Sequence, residues 1–117
     1  VEEKMEENLM DWDQYQAFIR TTKKYDERFK LMYPVLGLAS EAGEVAGKLK
    51  KIFRDHGGHV DELQRNRLID ELSDVLWYVT ACVDDLDFTL EELAKYNAAK
   101  LSERMQKGTI QGDGDNR

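Results

Sequence analysis

Val35–Asp55 reads VLGLASEAGEVAGKLKKIFRD, and within it Leu38, Ala42, Val45, Leu49 and Ile52/Phe53 return every three or four residues. That spacing draws an apolar stripe down one face of an α-helix. Gly57-Gly58 follows and stops the helix, because glycine takes the left-handed backbone at a helix C-terminus without a Cβ penalty. Ahead of the stretch, Tyr33-Pro34 marks a break, since the residue before proline disfavours helical backbone. Pro34 can itself open the helix, where its missing N–H has no intrahelical use.

The same periodicity extends both ways. Trp12, Tyr15, Phe18/Ile19 and Thr22 predict a first helix from Trp12 to Lys24, with a weak continuation through Tyr25 and Phe29. After the glycine pair, Asp61 and Gln64 have capping-box spacing. Leu68, Leu72, Val75/Leu76, Val79, Val83 and Leu86 then carry a third helix to about Asp85. Thr89 and Glu92 open a fourth, which runs to about Lys107 and ends at Gly108. No strand-like alternation competes, so the fold class is all-α, a four-helix bundle. The expected layout is a frayed segment over 1–11, one helical domain over 12–108 and a tail over 109–117.

Composition narrows the function classes. The chain has 117 residues, 41% hydrophobic and 35% charged, with a formal net charge of −7. That size suits one domain, too apolar for a disordered chain. The negative balance argues against a nucleic-acid partner, which calls for basic stripes. No window approaches the ~20 apolar residues of a spanning helix, so no membrane partner is expected. Val1-Glu2-Glu3-Lys4 lacks the basic start of a signal peptide, and Cys82 has no second cysteine to pair with. A soluble, cytoplasmic domain is the expectation. The second and third helices are apolar off their main stripes, at Leu36, Ala39 and Ala46 and at Trp77, Tyr78 and Cys82. Four helices give them too few neighbours, and a homodimer or homotetramer follows.

Four acids are the most informative residues: Glu41 and Glu44 on the second helix, Glu71 and Asp74 on the third. Each pair is spaced i, i+3 beside an apolar stripe, where an uncompensated carboxylate is costly. Glu44 lies 13 residues before Gly57 and Glu71 lies 13 after Gly58. At ~1.5 Å per residue, antiparallel packing sets them level, with Glu41 near the level of Asp74. Four oxygen donors without histidine or thiol suit Mg²⁺, with Mn²⁺ as a substitute. The plainer reading is a solvated face whose acids pair with Lys48 and Arg67.

Glu41-Ala-Gly-Glu44, a gap of 26 residues, and Glu71-Leu-Ser-Asp74-Val-Leu-Trp-Tyr together resemble the MazG-like nucleoside triphosphate pyrophosphohydrolases. Tyr15-Gln16, Thr22, Gly37-Leu38-Ala39, Asn97-x-x-Lys100-Leu101 with Arg104, and the ending Gly108-Thr109-Ile110-x-Gly112-x-Gly114-Asp115-Asn116-Arg117 resemble the phage-type branch. The resemblance implies Mg²⁺-dependent hydrolysis between the α- and β-phosphates of a nucleoside triphosphate, giving a monophosphate and pyrophosphate. It places the metal ligands at Glu41, Glu44, Glu71 and Asp74, the nucleotide contacts at Asn97 and Lys100, and Gln16 among the substrate-binding residues. The family's pattern has a glutamate where Ser40 stands. The base role therefore falls to a metal-binding glutamate, Glu41 first.

Other residues keep two readings. Lys48, Lys51 and Arg54 follow the acids at about one-turn intervals, either to reach the outer phosphates or as basic residues favoured by the helix dipole. Lys100 and Arg104, one turn apart, face the same choice. Trp77 and Tyr78 read as core rather than a base platform, with Trp12 and Phe18 as other aromatic candidates. His56 and His59 read as exposed turn residues and Cys82 as a small buried hydrophobe. The tail either closes over phosphates or is disordered. The rival to an enzyme is a non-catalytic helical interaction module with a structural cation site.

Overall fold

The structure, a computed structural model, describes residues 10–115. It contains α1 (Trp12–Thr22), a short 3₁₀ turn (Glu27–Phe29), α2 (Met32–His56), α3 (Glu62–Asp85) and α4 (Leu90–Lys107), with no strand among the described residues. α2 and α3 form an antiparallel hairpin with the most extensive contact in the chain; α1 packs on α3 and α4. Residues 1–9 of the segment expected to fray, and Asn116-Arg117 of the tail, lie outside the described residues. Asp11 N-caps α1: its carboxylate accepts from Gln14 N–H at 2.8 Å, and Gln14 Oε1 accepts from Asp11 N–H at 2.9 Å. The box expected at Thr89 and Glu92 is present, and Gly108 closes α4 in the left-handed conformation at φ 70°. Asp61 caps α3 through Gln64 N–H, while the Gln64 side chain turns instead toward His56.

Two boundaries differ from the sequence expectation for one shared reason. α1 ends at Thr22 because Lys23 becomes extended and sends its Nζ to Asp84 Oδ2 at 2.9 Å and Asp85 Oδ1 at 2.5 Å. α2 begins at Met32, ahead of the Tyr33-Pro34 break, after Leu31 adopts φ 65°, ψ −48°. Met32 N–H donates to Lys30 O at 2.7 Å, closing a γ-turn, and Leu31 N–H donates to Asp85 Oδ2 at 2.9 Å. Such a backbone costs roughly 1–3 kcal/mol and persists only where neighbours impose it. Pro34 then sits within the first turn, where no intrahelical N–H is lost.

The knot at Asp84-Asp85 gathers three elements. Asp85, its side chain 3% exposed, also accepts from Tyr25 OH at 2.7 Å. Asp84 Oδ1 accepts from Arg20 Nε at 2.6 Å and Gln16 Nε2 at 3.0 Å. Burial alone raises both carboxyl pKa values. Hydrogen bonds outweigh it, from Lys23, Leu31 N–H and Tyr25 for Asp85 and from Gln16, Lys23 and Arg20 for Asp84, and hold both groups below the ordinary carboxylate value. Ile19, Pro34, Ile52, Ala81, Val83 and Leu90 are the buried apolar side chains among the described residues. Gly37 is fixed by packing, since a Cβ there would overlap the Tyr78 ring.

Removing Asp85 strands the Lys23 ammonium and the Leu31 N–H. Asp85→Ala is therefore expected to lose roughly 3–5 kcal/mol in urea unfolding at neutral pH. A carboxyl held low in the folded state stabilises fully above its unfolded value of about 4, and that stability is lost as pH falls through the folded pKa. The wild type should thus weaken below about pH 4, and Asp85→Asn should show a smaller acid-dependent loss.

Candidate functional site

Midway along the hairpin, Glu41 on α2 faces Glu71 and Asp74 on α3. One oxygen of each lies within 4.8 Å of the other two; Glu41 and Glu71 are half-buried and Asp74 is exposed. Partial desolvation, a hydrogen bond shared with Glu71, and the charges of Asp74, Glu71 and Glu44 push the Glu41 carboxyl above its ordinary value. Three carboxylates cannot crowd together ionised without repulsion. The donor set fits a hard divalent cation, which takes carboxylate oxygens and fills its shell with water and phosphate.

Glu44 stands apart from this trio. It is exposed, and it reaches the group through its charge on Glu41. The reason is helical phase. Glu44 is three residues from Glu41 and so turned about 60° around the axis, whereas Lys48, seven residues on, returns to nearly the same line. Lys48 Nζ accordingly lies 3.3 Å from a Glu71 oxygen, so the ion pair of the plainer reading also forms.

Tyr78, one turn beyond Asp74, stands beside the acids. Burial first, then its hydrogen bond with Tyr33 and the charges of Tyr33, Glu41 and Asp74, raise its pKa. The Tyr78 ring meets Trp77 edge-on at 4.9 Å between centroids, and Trp77 Nε1 donates to Thr22 Oγ1 at 2.7 Å. Both are half-buried, as is Cys82. Trp12 borders an apolar cleft of about 450 Å³ with Tyr15 and Leu90, while Phe18 is exposed.

The remaining expected residues lie elsewhere. Gln16 is 2% exposed, and its amide is committed to structure: Nε2 donates to Asp84 and to Phe88 O at 2.9 Å, and Oε1 accepts from Leu90 N–H at 2.7 Å. It ties the α3–α4 turn to α1, with both amide protons and the amide oxygen engaged within the fold. Asn97 is exposed on α4. Lys100 Nζ and Arg104 Nη2 converge on Asp115 Oδ1 of the tail at 3.3 and 2.9 Å. Those two cations hold the Asp115 carboxyl below its ordinary value. Lys51 is exposed at the rim of a cleft shared with Lys48 and Arg67. Arg54 is bound by Asp55 at 2.7 and 2.9 Å, and His56 and His59 are exposed. Arg67 escaped notice as more than an ion-pair partner, although it lies one turn before Glu71 and shares its face.

Fold and site define a class: helical hairpins of a bundle whose facing carboxylates can hold a cation. Within that class the chain belongs to the MazG nucleotide pyrophosphohydrolase family, whose domain model matches residues 34–109. The Gene 37 protein of Mycobacterium phage L5 is 46% identical over 87 residues, covering 74% of this chain and 76% of the phage protein, in keeping with the phage-type branch. No solved structure matches the chain. Among the described residues, no helix is long and apolar enough to cross a membrane.

Glu41→Gln and Asp74→Asn each remove one repelling charge and one cation donor. Each is expected to melt at or above the wild-type temperature without divalent cation and to lose the upward shift that added Mg²⁺ gives the wild type. Differential scanning calorimetry with and without Mg²⁺ reads both effects.

Proposed function

We propose that the chain is a Mg²⁺-dependent nucleoside triphosphate pyrophosphohydrolase, cutting between the α- and β-phosphates to release a nucleoside monophosphate and pyrophosphate. The observation that carries this reading is the convergence of Glu41, Glu71 and Asp74 between α2 and α3 in a chain of this family. Glu41, Glu71 and Asp74 would hold the cation, with Glu44 contributing its charge and completing the ligand set once substrate is bound. A divalent cation held there would neutralise phosphoryl oxygens and lower the pKa of bound water.

The chain's own residues supply the rest. Glu41, at the centre of the acids, takes the proton from the attacking water. The water oxygen bonds to the α-phosphorus in line, and the bond from that phosphorus to the α–β bridging oxygen breaks. Its electron pair leaves with pyrophosphate. No carboxylate precedes Glu41 to share the base role, since Ser40 stands there. Asn97 and Lys100 on α4 are the proposed nucleotide contacts, with Arg104 beside Lys100 and Lys51 on α2 toward the outer phosphates.

We also propose that the working form is a homodimer or homotetramer. Ile69, Leu72 and Leu76 are exposed along α3 and Leu86 just past its end, Leu36 and Phe53 on α2, and Tyr96 and Met105 on α4. Apolar exposure of this extent on a chain with so small a buried core is what a second copy would cover.

Two measurements test these readings. Hydrolysis in ¹⁸O-labelled water should place the label in the monophosphate, with pyrophosphate as the first product; orthophosphate and a diphosphate would contradict the cleavage site. In sedimentation across a wide dilution range, dissociation should coincide with unfolding, and a well-folded monomer would contradict the assembly.

A further inference from the structure

From the acids toward the hairpin's turn lies a cleft of about 230 Å³ between α2 and α3, with the opposite charge. Lys48 and Lys51 line it from α2, and Arg67 lines it from α3. Asp55 is the acid on its wall, and Arg54 holds that carboxylate with two hydrogen bonds of 2.7 and 2.9 Å. The cleft therefore presents three cations against one neutralised acid. Lys48 links the two regions, since its Nζ lies 3.3 Å from Glu71.

Position along the helices gives the groove a direction. Lys48 is seven and Lys51 ten residues beyond Glu41, and Arg67 is four before Glu71. Arg67 and Lys48 thus stand roughly 6–10 Å, and Lys51 about 15 Å, along the helices from the acids toward the turn, within reach of long side chains. A polyphosphate chain with its first phosphorus at the acids would bring its outer groups into this cleft. Guanidinium and ammonium groups suit that task, one by planar paired hydrogen bonds and the others as point charges. On α4, by contrast, Lys100 and Arg104 already hold Asp115.

We propose that the Lys48–Lys51–Arg67 cleft between α2 and α3 is the seat of the pyrophosphate group, so that the triphosphate lies along the hairpin with its outer phosphates toward the turn. This rests on the pyrophosphohydrolase reading of the acids and assigns the leaving group its own binding site. Lys51 and Arg67 are its chief grips, because Lys48 also pairs with Glu71. Once the α–β bond breaks, the product held by the cleft is pyrophosphate itself.

The test is calorimetric titration of the full chain with inorganic pyrophosphate at constant free Mg²⁺. Wild type is compared with Lys51→Ala, Arg67→Ala, the double variant, and Lys50→Ala as an exposed charge control outside the cleft. All three substituted positions are exposed, and circular dichroism checks the fold. The double variant should bind pyrophosphate at least tenfold more weakly, each single variant less so, while Lys50→Ala matches wild type. Affinity for a nucleoside monophosphate should stay within twofold in every variant. An unchanged pyrophosphate affinity in the double variant overturns the proposal, as does an equal loss with Lys50→Ala or for the monophosphate. The two readings fail separately. Pyrophosphate binding lost in the double variant, in a chain that hydrolyses no nucleotide, keeps the cleft and removes the hydrolase. Hydrolysis with cleft-independent pyrophosphate binding keeps the hydrolase and removes the cleft.

Discussion

The carboxylate of Asp85, taken up by Lys23, Tyr25 and the Leu31 N–H, is the constraint from which the site's geometry follows. It pins the start of α2 to the end of α3, and the two helices run antiparallel from that point. Glu41 lies ten residues beyond Leu31, and Asp74 lies eleven before Asp85. At about 1.5 Å per residue both stand some 15 Å from the pin, so they meet. Leu31's left-handed backbone is the local strain that this register requires. Asp84 and Gln16 extend the same knot to α1 and the α3–α4 turn.

With the register set, the acids face one another by necessity and their repulsion must be relieved. Lys48 relieves part of it at Glu71. Partial desolvation first, then the hydrogen bond with Glu71 and the charges of Asp74, Glu71 and Glu44, still raise the proton affinity of Glu41. A divalent cation is the natural remaining counter-charge for such a set. The cations then continue along the groove, so the hairpin carries negative charge at its middle and positive charge toward its turn. A polyanion with a bound cation complements that alternation over its whole length.

Much of this was legible in the sequence because it rests on local periodicity. The apolar stripes, the caps at Asp61 and Thr89 and the closing glycines gave four helices and an antiparallel hairpin, and equal counts from the glycine turn gave the level of the acids. What escaped was tertiary. The phase of α2 against α3 decides that the line of Glu41 and Lys48, rather than Glu44, faces Glu71, and i, i+3 spacing is silent on phase. Leu31 opens α2 because of an acid 54 positions away, overriding the signal of Tyr33-Pro34. Gln16 looked functional within its motif, yet its amide bonds a turn more than 60 residues distant. The partners of Lys100 and Arg104 come from the tail, which has no periodicity to read.

The central claim is that the pinned hairpin focuses three carboxylates on one cation. Anomalous diffraction from crystals equilibrated with Mn²⁺ tests it most directly. The account predicts a single strong peak between α2 and α3, at bonding distance from oxygens of Glu41, Glu71 and Asp74, that disappears in Asp74→Asn crystals. A peak held by other residues, or none at these three at saturating Mn²⁺, would contradict it.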